Sequence, residues 1–193
     1  MIIIGLTGPT GAGKSSLRNI AEDLGFKVID CDKIARHVTE KGKPALEELS
    51  KAFGDDILFV DGTLNRKELA KKAFSSSERT MLLNETIFPF ITKEIKAECD
   101  KEKIILDAPT LFESGINSVC KSTIAVLADK EIRLKRIMAR DEIDEETALI
   151  RMNAGKTEEF YLENADYVIY NNDDIVGVKN ELSEILSNIL KEI

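Results

Sequence analysis

Cysteine is scarce and unpaired in this 193-residue chain: Cys31, Cys99 and Cys120 form no C-x-x-C pair, which argues against a disulfide framework and against a zinc site. Histidine is scarcer still. The single one, His37, has no partner for metal ligation or triad chemistry and reads as a helix-surface residue. No apolar run approaches the roughly 18 residues of a membrane span, and the N-terminus lacks the basic-then-apolar order of a signal segment. No membrane partner is expected, and the cytoplasm is the expected location. Positive charge is also short, with 27 Lys and Arg against 35 Asp and Glu for a net charge of −8, which argues against a general nucleic-acid surface. An anionic ligand therefore needs a local basic cluster. With 43% hydrophobic and 32% charged residues and no internal repeat, the chain has the make-up of one well-cored domain.

What is present begins at residue 8. Gly8 to Ser15 read GPTGAGKS and fit the phosphate-binding pattern G-x-x-x-x-G-K-[ST], after an apolar run, Ile2-Ile3-Ile4-Gly5-Leu6-Thr7, that reads as a buried strand. Gly8, Gly11 and Gly13 let the backbone curl its N–H groups around an anion, with Ala12 and Ser16 in the same binding run. Lys14 reaches the β- and γ-phosphates of a nucleotide, and the Ser15 hydroxyl suits Mg²⁺. Leu17, Ile20, Ala21 and Leu24 then keep helical spacing until Gly25, so the positive end of a helix faces the phosphates.

Strand-like runs recur at 2–7, 27–30, 103–107, 123–128 and 167–170, separated by helical patterns, and this alternation implies a parallel sheet wrapped by helices. The interval 42–102 differs. Its apolar residues (Leu46, Leu49, Phe53; Leu69, Phe74; Leu82, Leu83, Ile87, Ile91, Ile95) keep helical spacing with no good strand, which predicts a helical insertion, broken by a turn at Asp61-Gly62. Helices are also expected over 130–140, after the acidic run Asp144-Glu145-Glu146, and over 174–193.

Several residues carry two readings. Asp30-Cys31-Asp32 stands at the carboxyl end of the second expected strand, where an open α/β sheet faces its ligand crevice. A carboxylate there accepts a proton from an attacking hydroxyl or organises Mg²⁺ water; alternatively it caps the helix that starts at Lys33. Between the two acids, Cys31 is disfavoured as a nucleophile because negative neighbours raise a thiol pKa. The third strand ends at Asp107, either a second acidic element for Mg²⁺ or a cap, and Pro109 to Phe112, with Leu111, offers an apolar wall. Arg133, Arg136 and Arg140 share one helix face and either close over a triphosphate or form a solvated face with Asp129 and Glu131. Arg66 either contacts an anionic substrate or is a surface cation. The Asn171-Asn172 turn is the position offered for reading an adenine base.

Taken in order, GLTGPTGAGKSS, VIDCDKIARHV, GKPALEEL, FGDDIL with DGTLNRKEL, LNETIFPFI, ILDAPTLFESG, RLKRIMARD and ADYVIYNN resemble the dephospho-CoA kinase family from residue 3 to 172. The phosphate loop is widely shared, whereas D-x-D-x-I-A-R, D-G-x-L-x-R and D-x-P-x-L-F-E in this order are more specific. The resemblance implies an α/β fold, a three-layer P-loop NTPase sandwich with about five parallel strands. It implies a core over about 1–41, 103–135 and 166–193, a helical CoA-binding insertion over about 42–102 and a helical lid over about 136–165. The implied reaction is transfer of the ATP γ-phosphate to the ribose 3′-hydroxyl of dephospho-CoA, with Mg²⁺, by a monomer or weak homo-oligomer. Asp32 then matches the family's general base, Lys14, Ser15 and Asp107 serve phosphates and metal, and Arg136 and Arg140 belong to the lid over ATP. Arg66, Phe88, Pro109, Leu111 and the stretch 82–91 would hold dephospho-CoA. Three departures stand out: Phe88 where the family usually has His, Gly155 where Gln is common, and Ser16 where Thr is frequent. None touches Lys14, Asp32 or Arg140. Another small-molecule P-loop kinase, for a nucleoside or a nucleotide, is the alternative, and a nucleotide-dependent regulatory switch is the reading from another class, against which stands the absence of an Asn-Lys-x-Asp guanine-recognition motif.

Overall fold

The apolar run near the N-terminus forms β1 (Ile2–Thr7), and its burial is what a strand flanked on both edges requires. It pairs in parallel with β3 (Lys103–Asp107), in the register Ile3↔Ile104 and Leu6↔Asp107, and with β4 (Ser122–Leu127), in the register Leu6↔Ile124. With β2 (Lys27–Asp30) and β5 (Tyr167–Tyr170) the sheet has the order β2-β3-β1-β4-β5, and β4 and β5 also run parallel. The computed structural model describes residues 1–98, 103–172 and 174–191. The expected strand 123–128 is displaced by one residue: Ser122 already pairs with Ile4, and beyond Leu127 the chain turns towards Asp129, the N-cap of the next helix. Cys99 lies outside the described residues, as do the ends of the expected insertion and of the tail helix.

The helices are α1 (Lys14–Asp23), α2 (Cys31–Val38), α3 (Pro44–Phe53), α4 (Arg66–Ala73), α5 (Ser77–Glu98), α6 (Lys130–Asp141), α7 (Glu145–Asn153), α8 (Glu158–Asn164) and α9 (Ile175–Lys191). Their starts follow capping chemistry. Asp30, Asn65, Asp144 and Thr157 each accept a backbone N–H of the following first turn, and Pro44 occupies the start of α3, where its missing N–H costs nothing.

The described residues fall into two compact units, 1–28 with 103–111, 120–172 and 174–191, and 29–98 with 112–119. The first is cored by Ile4, Leu6, Leu17, Ile105, Ile124, Val126, Ile169, Leu182 and Ile189, which join the sheet to α1 and α9. Each such side chain contributes about 1.5–3 kcal/mol when fully buried. The second unit is helical, cored by Leu49, Phe53, Ile57, Leu69 and Ala73 with Leu82, Leu83 and Ile87 against them. Its D-G-T-L-N-R run is a tight reversal: Asp61 accepts from the Thr63 N–H and hydroxyl, Leu58 bridges Leu64, and Asn65 caps α4. Phe74 is exposed, unlike its helical neighbours Leu69 and Ala73, because it stands past the last turn of α4 as its C-cap. No described helix is long and apolar enough to cross a membrane.

Candidate active site

Between β1 and α1 the chain folds as the glycine pattern requires. Gly11 and Gly13 have φ of 82° and 83°, a region that side chains enter at a cost, and there is no room for one. A Cβ on Gly13 would lie 2.2 Å from Asn171 Nδ2, and one on Gly11 would lie 2.8 Å from the Arg133 carbonyl oxygen. Gly13 is also the N-cap of α1 and offers no side chain to the first turn; the Ser16 N–H bonds back to the Gly13 carbonyl at 3.0 Å, and the positive helix end favours an anion.

A cavity of about 570 Å³ opens over this loop, lined by Gly8, Pro9, Thr10, Gly11, Gly13, Lys14, Ser15, Ser16, Arg18, Asp107, Pro109, Arg136 and Arg140. Four cations and one carboxylate meet there, which is the local basic cluster that a chain of net charge −8 needs for an anionic ligand. Asp107 is buried at the end of β3 and is ion-paired on one oxygen with Lys14 and on the other with Arg18, at 2.9 Å.

The three arginines of α6 all reach the loop, with Arg133 and Arg136 half-buried and Arg140 exposed. Arg133 Nε donates to the Thr10 carbonyl at 3.0 Å, and burial lowers its guanidinium pKa from the ordinary value. Arg136 Nη1 donates to the carbonyls of Asn171 at 2.9 Å and Ala12 at 3.5 Å. Arg140 Nη2 reaches Thr10 Oγ1 at 3.3 Å while its Nε is held by Asp141, which also pairs with Arg151. The hydrogen bond from Arg140, ahead of its charge and of Arg151, brings the Asp141 carboxyl down to about 2. Ile137, Ala148 and Met152 pack α6 against α7 and so support the arginine-bearing helix.

Several expected site residues lie elsewhere or do something else. Ala12 is fully buried, so its part in the loop is through its backbone. Leu111 is also fully buried: its Cδ2 would lie 2.8 Å from a Cβ on Gly5, which places it in the core beside β1 and not on a wall open to a substrate. Pro109, by contrast, is exposed and lines the cavity. Asn171 does not present its amide to a base. It is 3% exposed and donates Nδ2 to the carbonyls of Ala12 at 3.1 Å and Gly13 at 3.4 Å, while Asn172 Oδ1 accepts the Asp129 N–H at 2.9 Å. Sequence reasoning missed this clamp, and it missed Arg18. The signal for Arg18 was its spacing of four from Lys14, which puts both on one helix face.

In the helical unit the two acids of D-C-D separate by role. Asp30 caps α2 by accepting the Lys33 N–H at 3.1 Å, whereas Asp32 is exposed and its carboxylate makes no hydrogen bond or ion pair among the described residues. Burial, then Asp32 and Asp30, push the Cys31 thiol up to about 12, so it stays protonated and unreactive. His37 is half-buried and flanked by Glu40 and Glu94 at 3.3 Å and 3.2 Å. Arg66 donates to Thr39 Oγ1 at 2.9 Å and to the Arg36 carbonyl at 3.4 Å, a cation at the negative end of α2, and burial followed by Arg36 lowers its pKa. Phe88 lines a separate, largely apolar groove of about 870 Å³ on α5, with Met81, Pro89, Lys93 and Lys96.

Known proteins resemble the chain over nearly its whole length. The family model described as dephospho-CoA kinase matches residues 2–177. A dephospho-CoA kinase of Corynebacterium efficiens is 38% identical over 199 residues, covering 100% of both chains. Among solved structures, a Thermus thermophilus protein is similar at 31% identity and a TM-score of 0.69, covering 97% of each chain. A dephospho-CoA kinase from Campylobacter jejuni is similar at 30% identity and a TM-score of 0.55, covering 98% of each chain.

Proposed function

We propose that this chain, which belongs to the dephospho-CoA kinase family, transfers the γ-phosphate of ATP to the ribose 3′-hydroxyl of dephospho-CoA, giving CoA and ADP. The observation that carries the reading is the basic cavity over the glycine loop, where Lys14, Arg18, Arg136 and Arg140 converge on the N-terminus of α1. Such a constellation is made for a polyphosphate.

The donor set also fits Mg²⁺. Among the described residues no group of three or more His, Cys, Asp or Glu gathers into an all-protein cage, and Mg²⁺ is ordinarily held by one or two protein oxygens with phosphates and water. Ser15 Oγ and Asp107 would supply those oxygens. When bound, the ion would supply positive charge that offsets that of the phosphates.

The remaining work falls to the chain itself. The loop N–H groups and Lys14 hold the β- and γ-phosphates in line, and Arg140 stabilises charge on the transferring group. Asp32, left free because Asp30 does the capping, accepts the proton as the 3′-oxygen bonds to the γ-phosphorus and the β–γ bridging bond breaks towards ADP. The helical unit, through Arg66 and the groove beside Phe88, is the proposed seat of dephospho-CoA. The helices over 136–165 serve as a lid that keeps water from ATP. The reaction is proposed to run in the cytoplasm, with no nucleic-acid or membrane partner, in a monomer or weak homo-oligomer.

The test is ADP release from ATP and Mg²⁺ with and without dephospho-CoA, together with analysis of the acceptor for one new phosphate at its 3′ position. Acceptor-dependent release with matching CoA supports the reading, and its absence would sink it. Asp32→Asn is expected to lower kcat by about 10²–10⁴-fold with ATP affinity unchanged. Wild-type kcat in that variant would remove Asp32 as the base.

A further inference from the structure

We propose that Arg18 is a positioning residue: it holds the Asp107 carboxylate so that Lys14 can turn from that carboxylate to the nucleotide phosphates. Asp107 is only 5% exposed and takes its two cations on different oxygens, Lys14 on Oδ1 and Arg18 Nη1 on Oδ2 at 2.9 Å. The two cations stand four residues apart on α1, on one face, and both line the cavity over the glycine loop. This creates a competition. The ammonium of Lys14 is engaged by Asp107, yet the same group is the one that reaches β- and γ-phosphates in a loop of this pattern.

Drawing Lys14 away from a carboxylate with no other partner would strand a buried charge, which is among the costlier changes a protein interior can undergo. Arg18 removes that obstacle. It keeps Oδ2 paired and the carboxylate ionised and oriented, while Oδ1 becomes free to face a metal ion or its water. The planar, multidentate guanidinium suits this better than a second lysine would, and its side chain is 33% exposed, so it reaches Asp107 from the cavity side without itself being buried. The inference rests on reading the cavity as the ATP site.

The experiment is equilibrium binding of ATP in the presence of EDTA, by titration calorimetry, to the wild type and to R18M, R18K, D107N and the double variant R18M/D107N. Thermal melting of each protein confirms that it is folded, and R18Q replaces R18M if the latter does not fold. R18M is expected to weaken ATP binding by about tenfold, in the range of coupled neighbours, with R18K within about threefold of wild type. In the D107N background, where there is no charge for Arg18 to hold, adding R18M should change affinity by less than about twofold. Unchanged binding by R18M overturns the proposal. So does an R18M effect that is equally large in the D107N background, which would mean that Arg18 touches the phosphates itself. A wild type that does not bind ATP overturns the nucleotide reading and this proposal with it, whereas wild-type binding with no Arg18–Asp107 coupling overturns this proposal alone.

Discussion

Truncating Asn171 to alanine tests whether the phosphate loop is held from behind by β5. The amide is 3% exposed and makes two hydrogen bonds, to Ala12 O at 3.1 Å and Gly13 O at 3.4 Å. Neither acceptor is orphaned by its removal, since Ala12 O also accepts from Arg136 and Gly13 O from the Ser16 N–H at 3.0 Å. The cost is therefore two ordinary hydrogen bonds plus a small void, about 2 kcal/mol in all, and not the larger penalty of stranded carbonyls. For a chain of this size that lowers Tm by about 4–8 °C. In urea the midpoint should fall with the m-value unchanged, and the KM for ATP should rise because the loop loses its rear support. Asn171→Asp sharpens the test. It keeps the shape and fills the void, but sets a carboxylate oxygen against two carbonyl oxygens, so it should destabilise more than alanine at pH 7. Burial against those carbonyls raises the carboxyl pKa in the fold, so that excess should shrink as the pH falls towards the unfolded value of about 3.9 and vanish below it. Stability of Asn171→Ala within about 0.5 kcal/mol of wild type, or an aspartate variant as stable as wild type, would refute the clamp.

The role proposed for Arg140 comes with little structural load: its side chain is 60% exposed and paired with Asp141. Arg140→Met should leave urea stability within about 0.5 kcal/mol while lowering kcat by about 10²-fold or more, and an unchanged kcat would remove it from the transition state. The Cys31 thiol, with an ordinary pKa of 9.0 but pushed up to about 12 in the fold by burial, then Asp32 and Asp30, should resist a disulfide reagent at pH 8 until urea unfolds the chain. Between those two pKa values the unfolded state binds fewer protons at this group than the folded state does. Cys31 therefore lowers stability as pH rises from 9.0 towards about 12. Urea titrations of wild type and Cys31→Ala across that window should show a steeper decline in the wild type, and parallel declines would contradict the assigned cause.

What was legible in the chain was what its local order dictates. β1, the glycine loop and α1 are contiguous, so strand burial, backbone curl and helix start could be read from residues 2 to 24 alone. β2, β3 and β5 likewise keep the expected bounds of 27–30, 103–107 and 167–170, because each is a short apolar run ended by turn or cap residues. The site's electrostatics were not legible in the same way, since they depend on which strand ends become neighbours. Asp107 and Lys14 are 93 residues apart, and Asn171 and Ala12 are 159 apart. Composition supplied the cations but not their partners. Arg133, Arg136 and Arg140 could be placed on one face, yet only the fold shows that Arg133 and Arg136 donate to carbonyls of the loop and of Asn171, and that Arg140, at the cavity, is tethered to the Asp141 carboxylate. Leu111 makes the same point in reverse. Its apolar character beside a strand end fits a substrate wall and a core position equally well, and the choice is made by Gly5, whose missing side chain opens the space that Leu111 fills. A residue type proposes a chemistry, and the partner that competes for it decides whether that chemistry is available. For this reason Asp32, free of the capping that Asp30 performs, and not Asp30, is the carboxylate proposed as the base.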